Sequence, residues 1–237
     1  MIISHYHKFV FVKTNKTAGS SLEALITRHL QPGDMITRRN DMDVVKEIAG
    51  KGIEILNSKG SPYQRGFMNH SPLSDAHQIF PETKKYFSFG IIRNPFSRCV
   101  SSFRWRNQKR IESILGEKHP QKENISIAEK KLQDLFETYT REGKGKLNQR
   151  GRDLLQSCDP NSGLCWSVSQ IVQLEKINIL NYTLKRETGL EIDVNEMPKL
   201  KSNVIKIPES INIMTEKAID SIQVNHEWEI NTFGYNP

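Results

Sequence analysis

Two short, nearly unbroken apolar runs, each ending in a basic loop that opens a helix, constrain this chain most. The first is Phe9-Val10-Phe11-Val12 and the second is Phe87-Ser88-Phe89-Gly90-Ile91-Ile92. Both are rich in β-branched and aromatic residues, so each predicts a buried strand. After the first run comes a polar, turn-like stretch, Thr14 to Gly19. A helix then opens at Ser20-Ser21, with Leu22, Leu25, Ile26 and Leu30 on one face and Ser20 or Ser21 as its N-cap. After the second run, Arg93-Asn94-Pro95 breaks the strand, and a helix is expected from Phe96 to Arg110 with Pro95 in its first turn.

Further elements follow the same logic. Helices are expected over 41–49, 127–141 and 215–230, and a short strand over 53–56. Asn69 to Asp75 reads as a loop entering a helix through Pro72. Glu175 to Thr188 reads as a strand or turn leading into a helix. Residues 116–126 read as loose, Lys144 to Gln149 as mobile, and Met197 to Ile207 as basic and irregular. Strands alternating with helices imply an α/β fold, a central, mostly parallel sheet flanked by helices. Neither a repeat nor a clear linker is visible. With 237 residues, the expectation is one domain over 1–237.

Composition narrows the function classes. Thirty-four Lys and Arg against 27 Asp and Glu give a net charge of +7, which favours anionic partners without choosing among them. No run approaches the length of a membrane span. The start, Met1 to Lys8, lacks the apolar stretch and cleavage site of a secretory leader, so a cytoplasmic location is expected. The three cysteines, Cys99, Cys158 and Cys165, are too few for a disulfide framework; Cys158 and Cys165 could pair across a loop, and free thiols are the plainer expectation. No His/Cys cluster has zinc spacing, so no metal site is expected.

The loop Lys13-Thr14-Asn15-Lys16-Thr17-Ala18-Gly19-Ser20-Ser21 has the parts of an anion site. A helix start offers unpaired N–H groups and the positive end of the dipole. Gly19 allows close backbone approach, Lys16 adds a charge, and Thr17, Ser20 and Ser21 carry hydroxyls. The nucleotide-triphosphatase pattern Gly-x-x-x-x-Gly-Lys-[Ser/Thr] fails here, because the lysine precedes the glycine. A solvated loop with a capped helix fits the same residues. Arg93 ends the second strand at the edge where open α/β sheets bind ligands, and can clasp a phosphate with two hydrogen bonds or serve as a surface ion pair. Ser97 and Ser101 share a helix face.

Taken together, Lys-Thr-x-Lys-Thr-Ala-Gly-Ser-Ser and Arg-Asn-Pro-x-x-Arg-x-x-Ser-x-Phe resemble the signature of sulfotransferases that use 3'-phosphoadenosine 5'-phosphosulfate (PAPS). The chain is most similar to the carbohydrate branch that includes heparan sulfate 2-O-sulfotransferases and their bacterial relatives. The resemblance implies a P-loop-like strand-loop-helix in which Lys16, Thr17, Ala18, Gly19, Ser20 and Ser21 hold the 5'-phosphosulfate. It implies that Arg93 and Ser101 hold the 3'-phosphate, and that no metal is required. Ile171 to Ile177, Leu184 to Leu190, and Asn225 to Tyr235 are weaker echoes of the same family. Its animal members often carry a membrane anchor that this chain does not show.

Sulfuryl transfer to a hydroxyl needs a general base. The family places a histidine or carboxylate between the two motifs, and Met68-Asn69-His70-Ser71-Pro72-Leu73 is similar to its His-x-Pro segment. His70 is therefore the expected base. His77 is the alternative, sharing a face with it if one helix runs through both. His5 and His7 could reach the same sheet edge only if the first strand is longer than expected. Lys16 is expected to stabilise the leaving phosphate; Lys13 either assists or is a solvated strand-end charge. Lys199 and Lys201 could touch the 3'-phosphate or belong to a plain surface loop. Arg104, Arg106, Lys109 and Arg110 form a basic cluster expected on a solvated helix face, with Arg104 or Arg106 as the alternative contact for an anionic acceptor. Trp105 and Trp166 are expected in the core, with stacking on a sugar ring as the alternative. The expected acceptor is a hydroxyl on a glycan or small molecule, with a lipid or peptide tyrosine left open, and no nucleic-acid partner is expected. Two other classes stay open: a nucleotide kinase or NTPase with a degenerate phosphate loop, and a basic non-enzymatic nucleic-acid binder.

Overall fold

A computed structural model describes residues 1–37, 50–57, 61–64, 66–67, 70–116, 122–145, 167–200 and 205–237. In chain order its elements are β1 (Ile2–Ser4), β2 (Phe9–Val12), α1 (Gly19–Thr27), β3 (Met35–Ile36), β4 (Glu54–Ile55), α2 (Leu73–Ile79) and β5 (Phe87–Ile92). There follow α3 (Pro95–Arg106), α4 (Gln108–Leu115), α5 (Lys122–Arg141), β6 (Gln170–Gln173), α6 (Ile179–Thr188) and α7 (Glu216–Phe233). The chain divides into two compact units, Met1–Ile92 with Leu147–Leu200, and Arg93–Lys146 with Lys201–Pro237.

The first unit is a sheet with helices on both faces. Among the described residues its strand order is β4-β3-β1-β2-β5-β6. The pairs β2/β5, β5/β6 and β3/β4 are parallel, and β1 is antiparallel to both its neighbours. The sheet is thus mixed α/β as expected, but less parallel than strand-helix alternation implied. The reason is β1: only three residues long, it turns back at residues 5–8 to pair with β2 as a hairpin, and no helix separates the two.

Period-two alternation sorts the strand residues between the two faces. Ile2, Phe9, Phe11, Phe89 and Ile91 face Leu22, Leu25 and Ile26 of α1 and Leu180 and Leu184 of α6. Ile3, Val10 and Val12 face Leu73 and Ala76 of α2. Phe9, Phe11 and Phe89 are wholly buried, and Phe11 and Phe89 stack at 5.1 Å. Burying each such side chain contributes about 2–3 kcal/mol. That burial fixes the register of β2 against β5, Val12 opposite Gly90, and so places the two strand ends side by side.

The second unit is helical among its described residues. Its core joins Phe96, Cys99 and Phe103 of α3 to Leu132, Phe136 and Tyr139 of α5 and Ala218 and Ile222 of α7. The single helix expected from Phe96 to Arg110 is two: α3 ends at Arg106, and α4 restarts after Asn107, whose φ of −112° leaves the helical range. Helix α5 begins earlier than expected, within the stretch read as loose. Pro95 occupies the first turn of α3 as expected, capped by Asn94 Oδ1, which accepts from Phe96 N at 2.9 Å. The expected helix at 41–49, the segment 146–150, and Cys158, Cys165 and Trp166 lie outside the described residues. Trp105 is 50% exposed, which corrects its expected core role. Among the described residues, no helix is long and apolar enough to cross a membrane.

Candidate functional site

In the first unit, β2 leads into a loop that bends sharply before α1. Lys16 and Ala18 both adopt left-handed backbone, with φ of 61° and 58°. For residues with a Cβ this conformation costs about 1 kcal/mol or more each, so the surrounding contacts must impose it. Thr14 Oγ1 donates to the Ile91 carbonyl and accepts from Thr17 Oγ1 at 2.7 Å. Both threonines are buried. The Thr17 hydroxyl is therefore committed inside the loop, and what Thr17 can offer a ligand is its backbone N–H.

Helix α1 starts one residue earlier than expected. Its N-cap is Ala18, not Ser20 or Ser21, and no side chain caps it. The first bonds from the helix run from Ser21 N and Leu22 N to the Ala18 carbonyl, at 2.9 and 3.1 Å. Gly19 and Ser20 precede that first bond, which leaves their N–H groups at the positive end of the helix. Ser21 Oγ is buried and accepts from Leu200 N at 3.3 Å. Gly19 is required by packing: a Cβ there would lie 2.9 Å from Lys13 Cγ.

Lys13 is neither a solvated charge nor a free assistant. Its Nζ lies 2.6 Å from Oε2 of Glu23, a residue 1% exposed on α1. Sequence reasoning passed over Glu23, although it interrupts the apolar stripe between Leu22 and Ile26. Removing one partner of so buried a pair strands the other. Glu23→Ala is accordingly expected to lower stability by about 3 kcal/mol, read from urea unfolding. A loss under about 1 kcal/mol would place the pair among ordinary surface bridges.

The same Lys13 holds His70. His70 Nδ1 lies 2.9 Å from the Lys13 carbonyl. A carbonyl only accepts, so Nδ1 carries the hydrogen and Nε2 is left as the basic nitrogen. Burial pushes the His70 pKa below its ordinary value; the Lys13 carbonyl opposes this and the Lys13 ammonium reinforces it. His77 differs. It lies on α2, which starts only at Leu73, so no one helix carries both histidines. Its Nδ1 donates to Thr83 Oγ1 at 3.1 Å, because the Thr83 hydroxyl hydrogen is already given to the Phe80 carbonyl. His5 Nδ1 pairs with the Tyr86 hydroxyl at 2.9 Å.

In the second unit, Arg93 is the first residue, half-buried, directly after β5. Ser101, two turns into α3, is half-buried, while Ser97 is exposed. The neighbouring Ser102 is buried and accepts from Tyr139 Oη at 2.8 Å. Arg98, to which no role was given from sequence, is 1% exposed, hydrogen-bonded to Arg93, Gly145 and Glu229, and 3.1 Å from His226 Nδ1. Burial pushes the Glu229 carboxyl up, but hydrogen bonds from His226 and Arg98 and the Arg98 charge outweigh it and hold the pKa below the carboxylate range. Arg104 Nε donates to the Ile205 carbonyl at 2.7 Å, so that residue is tied to its own unit. Lys199 is exposed, and Lys201 lies outside the described residues.

The first unit thus gathers Lys13, Lys16, Thr17, Ala18, Gly19, Ser20, Ser21 and His70 around one strand end, and the second carries Arg93 and Ser101 at the start of α3. Among the described residues, no group of three or more His, Cys, Asp or Glu could hold a metal ion. No curated protein and no solved structure matches the chain. The family model described as "Sulfotransferase family" matches residues 1–161, about two thirds of the sequence and the part that contains both motifs. The chain belongs to the sulfotransferase family.

Proposed function

We propose that the protein transfers a sulfuryl group from PAPS to a hydroxyl, and that residues 1–237 form one sulfotransferase domain with a P-loop-like phosphosulfate loop. The carrying observation is the joint at Lys13. One residue closes β2, pairs with the buried Glu23, and fixes the His70 tautomer beside a loop that ends in a helix start. Left-handed residues such as Lys16 and Ala18 are the kind from which anion-binding nests of successive N–H groups are built. Backbone N–H groups of Thr17 to Ser21, with the Lys16 ammonium, bind the 5'-phosphosulfate; Arg93 and Ser101 bind the 3'-phosphate.

In the reaction the acceptor oxygen attacks sulfur and the bond from sulfur to the bridging phosphate oxygen breaks. His70 Nε2 takes the acceptor's proton. The electron pair leaves on the 5'-phosphate of 3',5'-adenosine bisphosphate, where Lys16 stabilises the developing charge. The acceptor we propose is a glycan hydroxyl, in keeping with the carbohydrate branch that the two motifs resemble and with the +7 charge.

Thermal unfolding with ligand tests this reading. At about 100 times its dissociation constant, 3',5'-adenosine bisphosphate is expected to add about 2.7 kcal/mol, a rise of several degrees in Tm for a chain of this size. The rise should be lost in Arg93→Ala and should need no magnesium. A rise with magnesium-ATP and none with the bisphosphate would overturn the assignment in favour of a nucleotide kinase.

A further inference from the structure

A buried arginine is costly unless every N–H finds a partner. Arg98 finds its acceptors within the second unit. Its Nε donates to the Gly145 carbonyl at 3.3 Å, and Nη1 donates to the Arg93 carbonyl at 3.3 Å and to Glu229 Oε2 at 2.5 Å. Nη2 donates to Glu229 Oε1 at 2.7 Å and faces His226 Nδ1 at 3.1 Å. Four of the five donors in its rigid planar fork thus meet two main-chain carbonyls and a carboxylate, and His226 Nδ1 donates to the same carboxylate at 3.2 Å. Helix α7 departs from helical geometry at His226, with φ −126° and ψ 17°, and so presents both His226 and Glu229 to Arg98.

Stability alone does not explain such a cluster, because apolar side chains of similar volume commonly serve a core at least as well. A guanidinium fork does something they cannot: it holds separate stretches of main chain at set positions. One stretch is Arg93 itself. The next residue is held as well, since Asn94 Nδ2 donates to the Asn236 carbonyl at 2.8 Å while Asn94 Oδ1 caps α3. The Arg93-Asn94 turn is therefore fixed by α7 and by the residues just beyond it.

We propose that Arg98, oriented by Glu229 and His226, is a positioning residue that sets the backbone of Arg93 and through it the grip of the Arg93 guanidinium on the 3'-phosphate. This rests on the reading of Arg93 given above. Arg98 touches no ligand; its effect is confined to the ligand group that Arg93 holds. The measurable signature is selectivity. Disturbing the fork weakens binding of 3',5'-adenosine bisphosphate and leaves adenosine 5'-monophosphate, which lacks the 3'-phosphate, little changed. A general loosening of the fold weakens both alike.

The test is titration calorimetry with both nucleotides on the full chain, for wild type, Arg93→Ala, Arg98→Lys, Glu229→Gln and the double variant Arg93→Ala/Glu229→Gln. Wild type should prefer the bisphosphate, and Arg93→Ala should abolish the preference. Arg98→Lys and Glu229→Gln should each cut it about tenfold, and the double variant should lose no more than Arg93→Ala alone. If wild type shows no preference, or Arg93→Ala keeps it, the reading of Arg93 fails and the inference with it. If both behave as expected while folded Arg98→Lys and Glu229→Gln keep the full preference, or lose affinity for both nucleotides equally, the inference alone fails. Should neither variant fold by circular dichroism, His226→Leu decides. It removes the hydrogen bond that His226 Nδ1 gives Glu229 Oε1, and is expected to reduce the preference in the same direction by less; an unchanged preference overturns the proposal.

Discussion

Lys16→Ala is expected to lower kcat for sulfuryl transfer about a thousandfold, with a stability change of about 1 kcal/mol or less. On the proposed mechanism charge accumulates beside this turn as the bridging oxygen departs, so the ammonium would act more strongly on the transition state than on bound donor. The stability half of the expectation comes from the backbone. Lys16 is left-handed, and alanine bears much the same penalty at φ 61° as lysine does. Lys16→Gly is the companion variant. It removes that penalty but adds freedom to the unfolded chain, and the two nearly offset. Both variants should therefore lose rate alike and keep the fold. The assay is bisphosphate release from PAPS with a hydroxyl acceptor, read beside circular dichroism. A kcat within threefold of wild type in either variant would remove Lys16 from the leaving-group role. A raised KM with unchanged kcat would instead make it a uniform binder of ground and transition states.

What was readable in the sequence follows from how local each signal is. Strands β2 and β5 were legible because they are buried on both faces and so read as continuous apolar runs. Strand β1 was not, because three residues carry no period, and its second pairing, with β3, depends on chain far away. The turn after β2 was legible as a loop with lysine and glycine. Its left-handed residues were not, since Ala18 has no local preference for that conformation and takes it under tertiary constraint. Ser20 and Ser21 were misread as caps for the same reason: cap preference is a local tendency, and here Ser21 bonds Leu200 instead. Glu23 and Glu229 carried a signal that went unused. Each stands on the apolar stripe of its helix, Glu23 beside Leu22 and Ile26, and Glu229 in line with Ala218, Ile222 and His226. A carboxylate on such a stripe implies a buried cation, and the two cations are Lys13 and Arg98, one beside each motif.

Those two carboxylates give the motifs a common design. In each unit a buried glutamate fixes a basic residue, and that residue's links pass through main-chain carbonyls, Lys13 offering its own to His70 and Arg98 donating to that of Arg93. Buried ion pairs thereby set the carbonyl that holds the His70 ring and the backbone from which Arg93 projects. For His70 the result is a ring with a fixed tautomer and a depressed pKa. Its consequence for rate has a definite sign. In the proposed role of general base His70 works unprotonated, so a pKa held below the ordinary 6.5 keeps it in that form at neutral pH. The rate of the wild-type enzyme should be flat around pH 7 and fall as the pH drops through a pKa lower than that of free imidazole. His70→Gln keeps a donor for the Lys13 carbonyl and removes the base. It is expected to lower kcat by about 100- to 10,000-fold and to erase the acid limb of the profile. His77, whose Nδ1 is engaged with Thr83, should not carry that limb. An acid limb that survives in His70→Gln and disappears in His77→Gln would move the base to α2, and with it the acceptor hydroxyl.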